Sequence, residues 1–215
     1  METLLYTVRH GETEWNITGR QQGHLDSPLT ATGISQAEAL ARGLTDKKIA
    51  YIYTSDLPRA LHTAEIIASE LCLKVHQDKR LRERHLGLLQ GLTRKEFGEK
   101  FPIQAHRLHS KDPEYRISNG ESARAHFERC VRCAEAIADR HPGSRVLLVT
   151  HGGVLCHFFY RALHLPLAEP RRFSLYNAAV NCFGIRRGQW RLNIWGDLSH
   201  FQQSDMVTDT IDPFI

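Results

Sequence analysis

The chain has 215 residues, of which 41% are hydrophobic and 24% charged, and its formal net charge is +4. That is one domain's worth of chain with a sizeable core, in the composition of an ordinary globular protein. The basic residues are dispersed and no apolar run approaches the roughly 20 residues that cross a bilayer, so neither a nucleic-acid nor a membrane partner is expected.

The apolar run at residues 4–8 (LLYTV) reads as a strand, and Arg9-His10-Gly11 follows where it ends. A polar loop continues through Pro28. Thr30 then caps a helix whose inward stripe is Ile34, Ala37, Leu40, Ala41 and Leu44. Residues 49–53 (IAYIY) form the next strand, followed by a helix with Pro58 in its first turn and Ala60, Ala64 and Ile67 facing inward. A short strand is expected at 73–75 (LKV). Between Gly91 and Gly120 the pattern changes to aromatics and brief helical stretches, with a capping box from Thr93 to Glu96. This reads as a helical lid or insertion at about 91–120.

Ser122 starts a long helix with Phe127, Val131, Ala134 and Ile137 on one face. Its Cys130-x-x-Cys133 pair lacks a second cysteine pair for zinc and a redox loop, and is read as ordinary helix. Residues 145–149 (RVLLV) resume the sheet, His151-Gly152-Gly153 follows, and residues 153–163 form another helix. Two terminal strands, 178–185 and 189–195, pair around Arg187-Gly188. The alternation of strands and helices gives a βαβ architecture with a largely parallel sheet. Five cysteines, an odd number, and an N-terminus that enters a strand without a signal-peptide pattern make the cytoplasm the expected location.

Two histidines thus stand at the carboxyl ends of two strands, where open α/β sheets bind ligands. Arginine beside the first and glycines beside both point to an anion. A histidine nucleophile for phosphoryl transfer needs an unprotonated ring nitrogen and cationic or N–H donors around the phosphoryl oxygens. Arg9 and Arg59 offer the cations, and Glu83, in the loop after the short strand, offers a proton for the leaving oxygen. Each residue alone has an ordinary explanation: a packing histidine, a charged helix start, a salt-bridge carboxylate. Only their joint placement points to chemistry. His85, His106 and His109 lack the tight spacing of a metal site, and no metal is expected.

Residues 7–37 (TVRHGETEWNITGRQQGHLDSPLTATGISQA) resemble the opening signature of the histidine phosphatase superfamily, which also contains the cofactor-dependent phosphoglycerate mutases. The match continues in order through YTSDLPRALHTAEI, LRERHLGLLQG, NGES, VTHGG and GDLSH, across nearly the whole chain. The resemblance implies a single domain over 1–215, built as a three-layer α/β/α sandwich with a mostly parallel central sheet and one antiparallel edge strand. It implies His10 as the nucleophile that becomes phosphohistidine and Glu83 as the proton donor. Arg9, Asn16, Arg59, His151 and Gly152 would form the phosphate pocket, with Gln22 and Gly23 beside it. No cofactor is implied.

Within the family, the stretch ERHLGLLQGLTRKE resembles the mutases. The short middle region lacks their arginine-rich segment, however, and the overall size and the GDLSH ending look more like compact bacterial broad-specificity phosphatases. The expected activity is hydrolysis of small phosphomonoesters. The alternatives are a phosphoglycerate mutase, a specialised sugar bisphosphatase and a non-catalytic phosphate-binding scaffold. Arg94, Phe97, Phe101, His106, His109, Tyr115 and Arg116 are the candidate substrate-pocket residues of the lid. The expected partners are small phosphorylated metabolites, and the chain is expected as a monomer or homodimer.

Overall fold

The computed structural model describes residues 1–201. Residues 202–215, the end of the expected domain, lie outside the described residues. Six strands, β1 (Thr3–Arg9), β2 (Tyr51–Thr54), β3 (Val75–Gln77), β4 (Arg145–Thr150), β5 (Val180–Arg186) and β6 (Gln189–Asp197), form one sheet in the order β3-β2-β4-β1-β5-β6. The first four strands in that order run parallel, and β5 is antiparallel to both its neighbours, β1 and β6, so the antiparallel pairings lie in the hairpin at one edge. Its turn, Arg187 at φ 51° and Gly188 at φ 71°, has the two left-handed residues that a tight hairpin requires.

The central strands read as nearly unbroken apolar runs because both faces of the sheet are covered. Leu5, Val146 and Leu148 face one way, onto Val131, Ala134 and Ile137 of helix α6 (Ala123–Arg140) and Val154 and Phe158 of α7 (Gly152–Leu163). Tyr6, Val8, Leu147 and Val149 face the other way, onto Leu40 and Leu44 of α2 (Ala31–Leu44) and Ala60, Ala64 and Ile67 of α3 (Pro58–Leu71). This is the expected three-layer sandwich. Thr30 and Ser122 cap α2 and α6 through their side chains, accepting from the N–H groups of Gly33 and Ala125. Cys130 and Cys133 are buried free thiols within α6. Among the described residues, no helix is long and apolar enough to cross a membrane.

Two local expectations shift. The short strand begins at Val75, not Leu73, because α3 closes at a left-handed Cys72 and the Leu73 N–H still bonds the Ala68 carbonyl. The loop before Pro28 contains a four-residue helix, α1 (Glu14–Ile17), fixed by a Thr13–Asn16 capping box. In the middle region, α4 (Arg94–Lys100) starts at the expected Thr93–Glu96 capping box, and α5 (Pro102–His109) follows directly. These helices close over a small core of their own, formed by Leu89, Phe97, Tyr115 and Ile117 with Phe101 and Leu108 against it.

Candidate active site

Strands β1 and β4 are paired neighbours that end level, with Arg9 opposite Thr150. The His10 N–H extends the ladder by one bond to the Thr150 carbonyl, which delivers His10 and His151 side by side with ring centroids 5.4 Å apart. Strand β2 pairs with β4 on its other side, and two turns of chain later Arg59 sits in the first turn of α3. Arg9, His10, Asn16, Gln22, Gly23, Arg59, Glu83 and Gly152 all line one cavity of about 480 Å³ at this carboxyl edge.

His10 is 3% exposed. Its Nδ1 lies 2.8 Å from the Gly11 carbonyl oxygen, which can only accept, so Nδ1 carries the proton and Nε2 keeps the lone pair. Burial first, then the charges of Arg59 and Arg9, hold the imidazole pKa well below its usual value, and the ring is neutral near pH 7. The backbone here is fixed from the far end of the chain: Asn177 donates to the His10 carbonyl at 2.7 Å and the Ala178 N–H to that of Arg9 at 3.0 Å.

The cations are held by protein acceptors. Arg9 donates to the Leu175 carbonyl at 2.9 Å. Arg59 is 2% exposed and gives its two terminal nitrogens to the Gly23 and Leu25 carbonyls and to Asp26. Asn16 accepts from the Thr13 backbone and hydroxyl with its side-chain oxygen, which leaves its NH₂ as the group available for an anion. Gln22 donates to the Thr13 hydroxyl at 2.9 Å. Helix α7 begins at Gly152, and its N-cap residue His151 makes no side-chain cap; Gly152 and Gly153 line the cavity, where the start of a helix favours an anion. Glu83 accepts from the Arg84 N–H at 2.7 Å and from the Gly153 N–H at 2.9 Å, one bond to each carboxylate oxygen.

His151 stands differently from the other candidates. It is fully buried, its Nε2 is 2.8 Å from the Ser55 hydroxyl, and it packs beside His10 without lining the cavity. The lid candidates divide. Arg94 and Tyr115 line the cavity, and burial with the nearby Arg171 charge lowers Arg94 to a pKa of about 10. Phe97 and Phe101 do not line it: Phe97 is buried in the lid's own core, and Phe101 packs half-buried against that core. His106 and His109 are exposed on α5, and Arg116 lines a separate cleft. The pocket role expected of these five is corrected accordingly. Among the described residues, no group of three or more His, Cys, Asp or Glu side chains is arranged to hold a metal.

Several site residues escape the sequence reading. His126 and His157 line the cavity, with ring centroids 4.8 Å apart, and burial pushes both pKa values down, that of His157 to about 3. His157 stands one helical turn beyond Gly153 on the same face of α7, and His126 lies in the first turns of α6, but helical spacing does not distinguish such a histidine from one in a core. Arg84 lines the cavity as well, with Nε on the Glu121 carbonyl and one terminal nitrogen on that of Tyr115. Ser55 could be sought as the hydroxyl placed directly after β2.

A mostly parallel sheet that brings an Arg-His pair, a second buried arginine and a carboxylate to one cavity at its carboxyl edge defines an α/β protein with an anion-binding centre. The chain belongs to the histidine phosphatase superfamily (branch 1), whose family model matches residues 5–198. It is 39% identical over 207 residues to phosphoglycerate mutase-like protein 4 of Arabidopsis thaliana, covering 94% of this chain and 89% of that protein. It is 40% identical over 202 residues to a metal-independent phosphoserine phosphatase of the same plant, covering 92% and 83%. Among solved structures, Bacillus stearothermophilus YhfR superposes with a TM-score of 0.85 at 37% identity, covering 92% of this chain and 98% of that one.

Proposed function

We propose that the protein hydrolyses small phosphomonoesters in two steps through a phosphohistidine. The observation that carries this reading is the state of His10: buried, neutral and with Nδ1 committed to the Gly11 carbonyl, it presents Nε2 as a nucleophile within a cationic cavity. Nε2 attacks phosphorus and the bond to the ester oxygen breaks, while Glu83 gives its proton to the departing oxygen. Arg9, Arg59, the Asn16 amide and the α7 N-terminus stabilise the charge on the transferring group. His151 supports the nucleophile from beside it. Water then attacks the phosphohistidine and gives a proton to Glu83, which releases phosphate and restores His10.

The cavity's further charges bear on the substrate class. Arg84, Arg94, Lys95 and Lys111 line it together with Asp112 and Glu169. Burial lowers both Arg84 and Arg94, which an incoming anion would offset. This supports a leaving group that carries a second negative charge, a carboxylate or another phosphate. The phosphoserine phosphatase relative accords with that reading.

A panel of phosphoglycerates, phosphoserine, sugar bisphosphates and aryl phosphates tests the proposal, with free phosphate and isomerised product measured separately. Phosphate release, with label trapped on His10, is the expected result. Interconversion of phosphoglycerates with little phosphate release would establish a mutase instead. No turnover and no trapped label would leave a binding protein.

A further inference from the structure

Glu83 sits in a stretch without ladder or helix bonds to hold it. It follows a single 3-10 turn (Lys79–Leu81), and the carbonyls of this stretch must find partners elsewhere. Thr150 Oγ1 serves the Leu81 carbonyl at 2.8 Å, the His24 ring meets that of Glu83 at 2.8 Å and the His126 ring that of Arg82 at 3.2 Å, and one further side chain reaches three of the carbonyls from Arg80 to Glu83. Arg129, from the first half of α6, donates Nη1 to the Arg80 carbonyl at 2.9 Å and to the Arg82 carbonyl at 3.1 Å. Its Nη2 donates to the Glu83 carbonyl at 3.2 Å and to Glu121 at 2.8 Å, and its Nε to the other Glu121 oxygen at 3.0 Å. All five N–H donors of the guanidinium therefore have acceptors, three of them carbonyls of the segment that carries Glu83.

The clamp has a second anchor. Glu121, which grips Arg129 with both oxygens, exchanges backbone bonds with the same segment: its N–H donates to the His85 carbonyl at 2.8 Å, and its own carbonyl accepts from Arg84 Nε at 2.8 Å. Arg129 does not line the active cavity. It borders a separate cleft behind Glu83, so it cannot touch a substrate bound at His10. Whatever it contributes passes through the position of the Glu83 backbone.

We propose that Arg129, braced by Glu121, is a positioning residue for the general acid: its guanidinium fixes where the Glu83 carboxyl stands relative to the ester oxygen. The proposal rests on the reading of Glu83 as the acid. Proton transfer needs the donor within about 2.6–3.2 Å of the atom it serves, and a displacement of about 1 Å can cost on the order of 10²-fold in rate. A misplaced acid harms poor leaving groups most. An activated aryl oxide departs without help.

The test compares kcat/KM, which reports the first phosphoryl transfer, for phosphoserine and for p-nitrophenyl phosphate. The variants are Glu83→Gln, Arg129→Gln, Arg129→Lys, Glu121→Gln and the double variant Glu83→Gln/Arg129→Gln. Arg129→Gln should lose about 10- to 100-fold on phosphoserine and far less on the aryl ester. Arg129→Lys should recover part of the loss. The double variant should be no worse on phosphoserine than Glu83→Gln alone, since a positioning residue has nothing left to position. Equal losses on both esters, or additive losses in the double variant, would overturn the proposal while leaving the acid intact. Equal losses on both esters in Glu83→Gln itself would instead remove the acid reading. Should Arg129→Gln fail to fold, Glu121→Gln decides: a loss selective for phosphoserine supports the clamp, and no loss or an unselective one refutes it.

Discussion

The imidazole of His10 combines two conditions that support each other: a free lone pair and a strongly cationic neighbourhood that disfavours its protonation. Burial and the adjacent arginines disfavour its protonation, and the Gly11 carbonyl selects the tautomer that leaves Nε2 free. In a histidine-labelled NMR titration, His10 should remain neutral through pH 6.5, where an unperturbed imidazole is half-protonated. Half-protonation there would contradict the site's electrostatics. Glu83 and Arg59 separate by leaving group. Glu83→Gln should cost an alkyl phosphate ~10²-fold or more, within the usual range for a general acid, and spare an activated aryl phosphate. Arg59→Ala should depress both, because charge stabilisation of the phosphoryl group does not depend on what departs. Single-turnover rates with the two esters check both statements, and a leaving-group preference in Arg59→Ala would reassign that residue. Glu83 lies in a loop, where only the motif points to it, but the positions of His10 and Arg59 were legible because each falls at a strand end or first helical turn. His126 and His157 were not, because at helical spacing a histidine that lines a cavity reads the same as one in a core.

Each element's position is set by close contacts that the hydrophobic pattern only partly announces. The loop after β1 crosses the start of α2 so tightly that a Cβ on Gly33 would lie 2.1 Å from the Glu12 carbonyl oxygen, and one on Gly11 2.3 Å from that of Gly33. Gly33→Ala must push α2 away from the segment that carries His10. We expect a stability loss of about 1–3 kcal/mol, read by urea denaturation, together with lower activity. Unchanged turnover would show that the loop can move without shifting the nucleophile. The lid illustrates the opposite limit of legibility. Its first helix was readable from the Thr93–Glu96 box, but the sequence does not say which side of a short amphipathic helix meets a cavity, and Phe97 and Phe101 turn to the lid's own core while Tyr115 lines the cavity. Phe97 is 2% exposed in a cluster drawn from residues 86–117 alone. Phe97→Ala should therefore cost about 3–5 kcal/mol, most of it within the lid. Hydrogen exchange should accelerate through residues 94–117 while the β1 and β4 amides stay protected. Equal acceleration in the sheet would mean that lid and sheet unfold as one unit.

At the scale of the whole molecule, the sheet and its two helical layers follow directly from apolar runs at 4–8 and 146–149 and from striped helices between them. What those patterns leave open is the account of charge in the centre. Four histidines, His10, His126, His151 and His157, are buried with pKa values pushed down chiefly by burial. In the unfolded chain each titrates near 6.5. Above that pH both states hold them neutral and no stability depends on them. As pH falls below about 6.5 the unfolded chain takes up protons that the folded protein refuses, so the stability of the fold must fall, by up to about 1.4 kcal/mol per pH unit for each such histidine. For His157 the loss continues down to its folded value of about 3. Asp56 and Asp78, whose pKa values are lowered by the Arg82 and Arg80 hydrogen bonds, withdraw their contribution around and below the ordinary carboxylate value of 3.8, so between pH 6.5 and about 5 the histidine effect stands apart from theirs. Urea denaturation at intervals between pH 7 and pH 5 should show stability declining. His157→Gln, which keeps a polar neutral side chain, should reduce the slope there by about one proton. A stability flat from pH 7 to pH 5, or a slope unaltered in His157→Gln, would mean that these rings reach water and carry charge in the folded protein. In that case the neutrality required of His10 would have to come from its arginine neighbours alone.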